Sequence, residues 1–89
     1  MATEEFTIAE LRKVLRESAG QTEGIDLEGD ILDVAFDALG YDSLALLETA
    51  RRIETSRAVV FDDSMIVDAT TPRALLTVVN ERLAAGHAA

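Results

Sequence analysis

Four stretches of the chain repeat apolar residues every three to four positions, and each is preceded by a residue suited to cap a helix. The first opens at Thr7-Ile8-Ala9-Glu10, a capping box in which the Thr hydroxyl and the Glu carboxylate satisfy backbone donors reciprocally. Ile8, Leu11, Val14 or Leu15, and Ala19 follow, and Gly20 is placed to stop the element, so helix 1 is predicted over about residues 7–19. A second helix begins at Asp42 or Ser43, both good N-caps, with Gly40 allowing a tight approach. Leu44, Leu46, Leu47, Ala50 and Ile53 give it a broad apolar face, and it ends between Thr55 and Arg57. Val59, Val60 and Phe61 then lead into Asp62-Asp63-Ser64, the cap of a short helix through Met65, Ile66 and Val67. Thr71 caps the last helix, with Pro72 at its first position. Leu75, Leu76, Val78, Val79 and Leu83 form its buried arc, Gly86 ends it, and about 85–89 is a flexible tail.

The stretch from Gly20 to Asp42 is long for a loop in a compact domain, yet it is not featureless. Ile25, Leu27, Ile31, Leu32, Val34, Phe36 and Leu39 supply apolar anchors between the glycines. They predict an ordered loop with a helical turn near residues 30–35, pinned over the core, with its acids facing solvent. The fold class is therefore all-α: a four-helix bundle of three longer helices and one short one, with a long ordered loop between helices 1 and 2. One domain is expected over residues 1–89, with its core at about 7–83.

Composition narrows the possible functions. There is no Cys, so no disulfide framework, thiolate metal site or cysteine nucleophile is available. No apolar run reaches membrane-spanning length, and a soluble, cytoplasmic protein that does not engage membranes is expected. The net charge of -9 argues against a nucleic-acid partner, since neutralising phosphates needs a basic surface. Nine acids and no Lys or Arg lie between Glu17 and Ala50. Such a field speeds encounters with basic partner surfaces, although a solvated face is the plainer explanation. An EF-hand starting at Asp26 fails, because position six is Ile31 and position twelve is Asp37.

The candidate functional centre is Ser43, within Gly40-Tyr41-Asp42-Ser43-Leu44-Ala45-Leu46. A catalytic serine needs a base and an oxyanion site. The single histidine, His87, lies near the C-terminal end, and the segment lacks the G-x-S-x-G pattern of a nucleophile elbow. Ser43 is better suited to be the substrate of another enzyme. At the first turn of a helix its hydroxyl projects outward, where free backbone N–H groups and the helix dipole favour a phosphodiester. Leu44 and Leu47 would offer an apolar rim beside it. Taken alone, Asp42 and Ser43 read as plain helix caps.

Asp-Ser-Leu at the start of helix 2, in an acidic chain of four helices, resembles the acyl carrier protein family. The chain is most similar to the carriers of aromatic (type II) polyketide synthases. Shared features are Ala19-Gly20, the Asp-Leu-x-Gly-Asp run from Asp26 to Asp30, and Gly-Tyr-Asp-Ser-Leu-Ala-Leu-Leu-Glu from Gly40 to Glu48. The paired Asp62-Asp63, Thr-Pro-Arg-x-Leu from Thr71 to Leu75, and Asn80 also agree, so the resemblance spans about residues 7–83. It departs where the family's usual Tyr-Gly-Val is replaced by Arg57-Ala58-Val59, losing a favourable C-cap glycine.

The resemblance implies a non-catalytic carrier. A phosphopantetheinyl transferase would attach 4'-phosphopantetheine from coenzyme A to Ser43, with Asp42 engaging the transferase and its metal ion and Leu44 contacting partners. The arm's thiol would carry malonyl units and the growing poly-β-ketone as thioesters. Partners would be a malonyl transferase, a ketosynthase/chain-length factor pair, a ketoreductase and cyclases, served by a monomeric carrier in antibiotic-type biosynthesis. Helix 2 is close to neutral, because Arg51, Arg52 and Arg57 accompany Glu48 and Glu54. Docking is accordingly expected to use Asp37, Asp42, Glu48, Asp62 and Asp63. Arg73 and Asn80 border the apolar arc of the last helix with Leu76 between them. Their plain role is that of boundary residues, with Arg73 reaching water. The resemblance implies instead that they point into the bundle and hydrogen-bond ketone oxygens of a sequestered chain. A fatty-acid or starter-unit carrier, and an unmodified helical interaction module, remain the alternatives.

Overall fold

The computed structural model describes residues 5–19 and 29–87, which contain four helices and no strand. They are α1 (Ile8–Ala19), α2 (Ser43–Arg57), α3 (Asp63–Asp68) and α4 (Pro72–His87). In the bundle α2 packs on α1 and α3, and α4 packs on the same two. Each helix starts at the side chain its sequence offers. The Thr7 Oγ1 accepts from the Glu10 N–H at 3.3 Å, Asp42 Oδ1 from Ala45 at 2.9 Å, Asp62 Oδ1 from Ser64 at 3.0 Å, and Thr71 Oγ1 from Ala74 at 3.2 Å. The capping box of α1 is only half realised, because the Glu10 carboxylate pairs with Arg57 at the far end of α2.

The core is filled by spaced apolar faces: Leu11 and Leu15 of α1, Leu46, Ala50 and Ile53 of α2, Ile66 of α3, and Leu75, Val79 and Leu83 of α4. Spacings of three and four keep each set on one side of its helix, so burial follows directly from the pattern. Two expectations need correction. Leu44 does not belong to the buried face of α2 but stands 66% exposed. Gly86 does not end α4, which continues through it to His87, so residues 85–87 are helical.

The segment between α1 and α2 is described from Gly29 onward, and Gly20, Gly24, Ile25, Leu27 and the acids Glu23, Asp26 and Glu28 lie outside the described residues. Its apolar anchors behave as expected: Ile31, Phe36 and Leu39 are buried, while Asp30, Asp33 and Asp37 face solvent. The turn expected near 30–35 is a single tight one, and a second turn follows it at 35–40. Val34 N–H donates to Ile31 O at 3.0 Å, and Leu39 N–H is shared between Ala35 O at 3.1 Å and Phe36 O at 2.9 Å. The segment is tied to the chain at the start of α4, with Phe36 N–H donating to Thr70 O at 2.8 Å, just before that helix, and Arg73 N–H donating to Leu32 O at 2.9 Å. The Phe36 donor and the Leu32 acceptor, which would pair with each other if a helix continued here, are both taken by these long-range bonds.

Helix α2 ends at Arg57, inside the expected window, but on an unusual residue. Ala58 adopts the left-handed conformation, φ 57° and ψ 46°, with its N–H on Glu54 O. This closure is normally made by glycine, because a Cβ at that position crowds the following carbonyl.

Candidate functional site

Tyr41 fixes how the chain enters α2. Its ring is buried edge-on to Phe36, with centroids 6.3 Å apart, and its hydroxyl donates to Leu15 O at 3.2 Å. Its N–H donates to Phe36 O at 2.9 Å, closing a turn in which Gly40 takes a φ of 87°. Burial pushes the Tyr41 phenol above its ordinary pKa, partly offset by the positive charge of Arg16. With this anchor one residue before the cap, the next positions are forced outward. Asp42, Ser43 and Leu44 are all exposed.

The Asp42 side chain and carbonyl satisfy the N–H groups of Ala45 and Leu46. The Ser43 and Leu44 amides have no partner among the described residues. This start suits a phosphodiester: an exposed serine, two unpartnered donors and a positive dipole end. Leu47, a turn along, is half-buried and packs against the core.

The acids expected to dock partners are in different situations. Asp37 and Glu48 are exposed and carry no ion pair among the described residues. Asp62 accepts from both the N–H and the Oγ of Ser64, so it also holds the start of α3. Asp63 takes two hydrogen bonds from Arg51, at 3.0 and 3.1 Å, which tie α3 to α2. Those bonds lower the Asp63 pKa.

Arg73, Leu76 and Asn80 line one side of an open cleft of about 650 Å³, whose other side is formed by Phe6, Ile8 and Leu32. Arg73 is exposed there and makes a bidentate pair with Asp33, at 2.8 and 3.1 Å. Its hydrogen bonds hold the Asp33 carboxyl below the usual range. Asn80 is half-buried and holds Phe6: its Oδ1 accepts from the Phe6 N–H and its Nδ2 donates to the Phe6 carbonyl. Both polar groups therefore face this cleft and a protein partner, not a void inside the helices.

Phe6, outside every element drawn from the sequence, is 3% exposed, and the Arg57 guanidinium lies 5.5 Å over its ring. The signal was present: an apolar residue just before the Thr7 cap, with Leu11 at the fourth helical position, is a hydrophobic-staple pattern.

Residues 13–79 match the family described as "Phosphopantetheine attachment site". The oxytetracycline polyketide synthase acyl carrier protein of Streptomyces rimosus is 55% identical over 78 residues, covering 88% of this chain and 82% of that protein. This chain belongs to the acyl carrier proteins of type II polyketide synthases. The solution structure of the 3-oxo-butyl carrier from the actinorhodin polyketide synthase of Streptomyces coelicolor matches with a TM-score of 0.87 at 46% identity, covering 99% of this chain and 100% of that one. The holo form of the actinorhodin carrier matches at 0.83, also at 46% identity, over 99% and 100% of the two chains. As a member of this family the carrier bears 4'-phosphopantetheine covalently and works with the enzymes of a polyketide synthase in antibiotic biosynthesis. No helix among the described residues is long and apolar enough to cross a membrane. No group of three metal-binding side chains is found among them either.

Proposed function

We propose that Ser43 is the attachment point of the phosphopantetheine arm. The observation that carries this reading is the exposed Ser43 hydroxyl at the first residue of α2, beside two unpartnered backbone N–H groups. The bound arm supplies a thiol, which holds malonyl units and the growing poly-β-ketone as thioesters. The protein's own part is to present the arm: Tyr41 sets the angle of the helix start, and Asp42 caps it while offering a carboxylate to the transferase and its metal ion. Leu44 supplies an exposed apolar contact for each enzyme that meets the arm.

On this reading the chain is one carrier domain, monomeric, cytoplasmic and without catalysis of its own. A phosphopantetheinyl transferase, a malonyl transferase, a ketosynthase/chain-length factor pair, a ketoreductase and cyclases act on it in turn. Docking uses the exposed acids Asp37 and Glu48, together with the capping carboxylates Asp42 and Asp62 and the Asp63 paired to Arg51. A polar-edged cleft favours a polyketide over a saturated fatty chain. Ketone oxygens laid along Leu76 would exchange with the contacts that Arg73 and Asn80 make to Asp33 and Phe6.

The deciding experiment is intact mass after incubation with coenzyme A and a broad-specificity transferase. One added phosphopantetheinyl group, absent from Ser43→Ala, is the expected result. A wild-type chain that gains nothing would remove the reading. For the cleft, Arg73→Leu should weaken the response of cleft resonances to a diketide-loaded arm, and an unchanged response would remove that role.

A further inference from the structure

Few apolar contacts hold α3 in place. Of its six residues only Ile66 is buried, and a helix this short does not persist without outside support. Phe61 before it and Ala69 after it are also buried, while Val60 stands 68% exposed and is not held by packing. The connection from α2 starts at Ala58, whose left-handed backbone crowds its own Cβ. Two residues further on, one peptide unit is gripped from both sides. The Val60 carbonyl accepts from Arg82 Nε of α4 at 2.8 Å, and the Phe61 N–H of the same unit donates to Glu54 Oε2 of α2 at 2.8 Å. The peptide is trans, so the two groups point in opposite directions, the N–H towards a carboxylate and the C=O towards a guanidinium. Between this connection, α3 and α4 is a slot of about 510 Å³ walled by Val60, Phe61, Met65 and Val78.

We infer that Glu54 and Arg82 form a latch that keeps α3 shut against α2 and α4, with Ala58 as a strained hinge that favours opening. Little else separates the shut state from an open one. The Arg51–Asp63 pair also ties α3 to α2, but both side chains are half exposed and such pairs contribute weakly. The two bonds to the Val60–Phe61 peptide are charge-assisted, and hydrogen bonds of that kind are roughly twice as strong as neutral ones. When the latch is broken α3 swings out about Ala58, while α2 and α4 stay packed on α1. Opening uncovers Ile66 and joins the slot to the interior. Resting on the carrier reading of Ser43, the latch regulates how readily the apolar part of an arm-borne chain enters on the α3 side. That route runs past Val78 and Arg82, across the buried Leu75, Val79 and Leu83 from the cleft at Arg73 and Asn80.

The test is native-state hydrogen exchange on the full chain before the arm is attached. Arg82→Met keeps the stem without a donor, and should accelerate exchange at the Phe61 and Ile66 amides about five- to tenfold, with Leu15 and Val79 unchanged. Arg82→Lys retains a charged donor and should recover part of the protection. Ala58→Gly relieves the hinge and should slow the same two amides about two- to fivefold. Unchanged exchange in Arg82→Met, or equal acceleration of all four amides, overturns the latch. Faster exchange in Ala58→Gly removes strain as the opening force. A hexanoyl arm is then transferred from its coenzyme A thioester, checked by mass, and the Met65 methyl resonance is followed. A larger shift on loading in Arg82→Met than in wild type is expected, and equal shifts remove the regulation of entry. Wild type that takes no arm removes the carrier reading, and the exchange result on the unloaded chain decides the latch independently of it.

Discussion

Asn80 clasps the backbone of Phe6 at two points, accepting from its N–H at 2.7 Å and donating to its carbonyl at 3.0 Å. The side chain thus acts as a strand edge would, fixing the segment before α1 to α4. Asn80→Ala should cost about 1–3 kcal/mol, since half-buried backbone groups lose their partners. Urea unfolding measures that loss, and hydrogen exchange at the Phe6 amide should accelerate by a larger factor than at Leu15. Uniform acceleration would mean that the clasp has no local role.

The left-handed Ala58 at the end of α2 is a site where the protein is less stable than its fold allows. Ala58→Gly removes the Cβ clash but gives the unfolded chain more freedom, and the net gain should be about 0.5–1 kcal/mol. In a domain of this size that is a Tm rise of roughly 2–8 °C by calorimetry. A fall in Tm would show that the Ala58 conformation is not strained.

Asp33 titrates low because Arg73 hydrogen-bonds its ionised form. With a folded pKa depressed below the ordinary 3.8, its contribution to stability is present above that value and fades as pH falls through the folded pKa. Both side chains are exposed, so the effect belongs to local ordering of the segment before α2 more than to global stability. In Arg73→Gln the Asp33 carboxyl midpoint, followed by NMR, should move up towards 3.8. No movement would dissolve the pair in solution.

Two roles of Asp42 are separable by chemistry. Asparagine keeps an oxygen for the Ala45 N–H but lacks the charge, whereas alanine lacks both. Asp42→Asn should retain stability within a few tenths of a kcal/mol, while Asp42→Ala should lose about 0.5–2 kcal/mol. Transferase loading should slow about tenfold or more in both, if the carboxylate engages the metal. Normal loading of Asp42→Asn would leave Asp42 as a cap alone.

Helix starts and core faces were legible in the sequence because they depend on residues within a turn of one another. Thr7, Asp42, Asp62 and Thr71 each hold a backbone N–H two or three positions ahead, and no distant residue is needed for that. The cap at Asp42 was legible for the same reason, whereas the outward placement of Ser43 depends on the buried Tyr41 two residues before it. Periodicity was less decisive at the edge of an apolar face. It grouped Leu44 with Leu46 and Leu47, but only the positions of α1 and α3 decide which side of α2 is covered, and Leu44 is left outside.

Pairing lay beyond the sequence. Arg51 meets Asp63 across 12 positions, Arg73 meets Asp33 across 40, and Asn80 meets Phe6 across 74. Nothing local distinguishes Asp63 from Glu48, yet one is neutralised by a neighbouring helix and the other is open to a partner. The sequence by itself determined where the helices start and which residues supply the core, because those follow from short-range hydrogen bonding and spacing, whereas the arm's place at Ser43 rested on a family resemblance. Tertiary structure alone decided which surface charges remain unpaired and what Arg73 and Asn80 hold, because a side chain's partner is set by which elements meet in space.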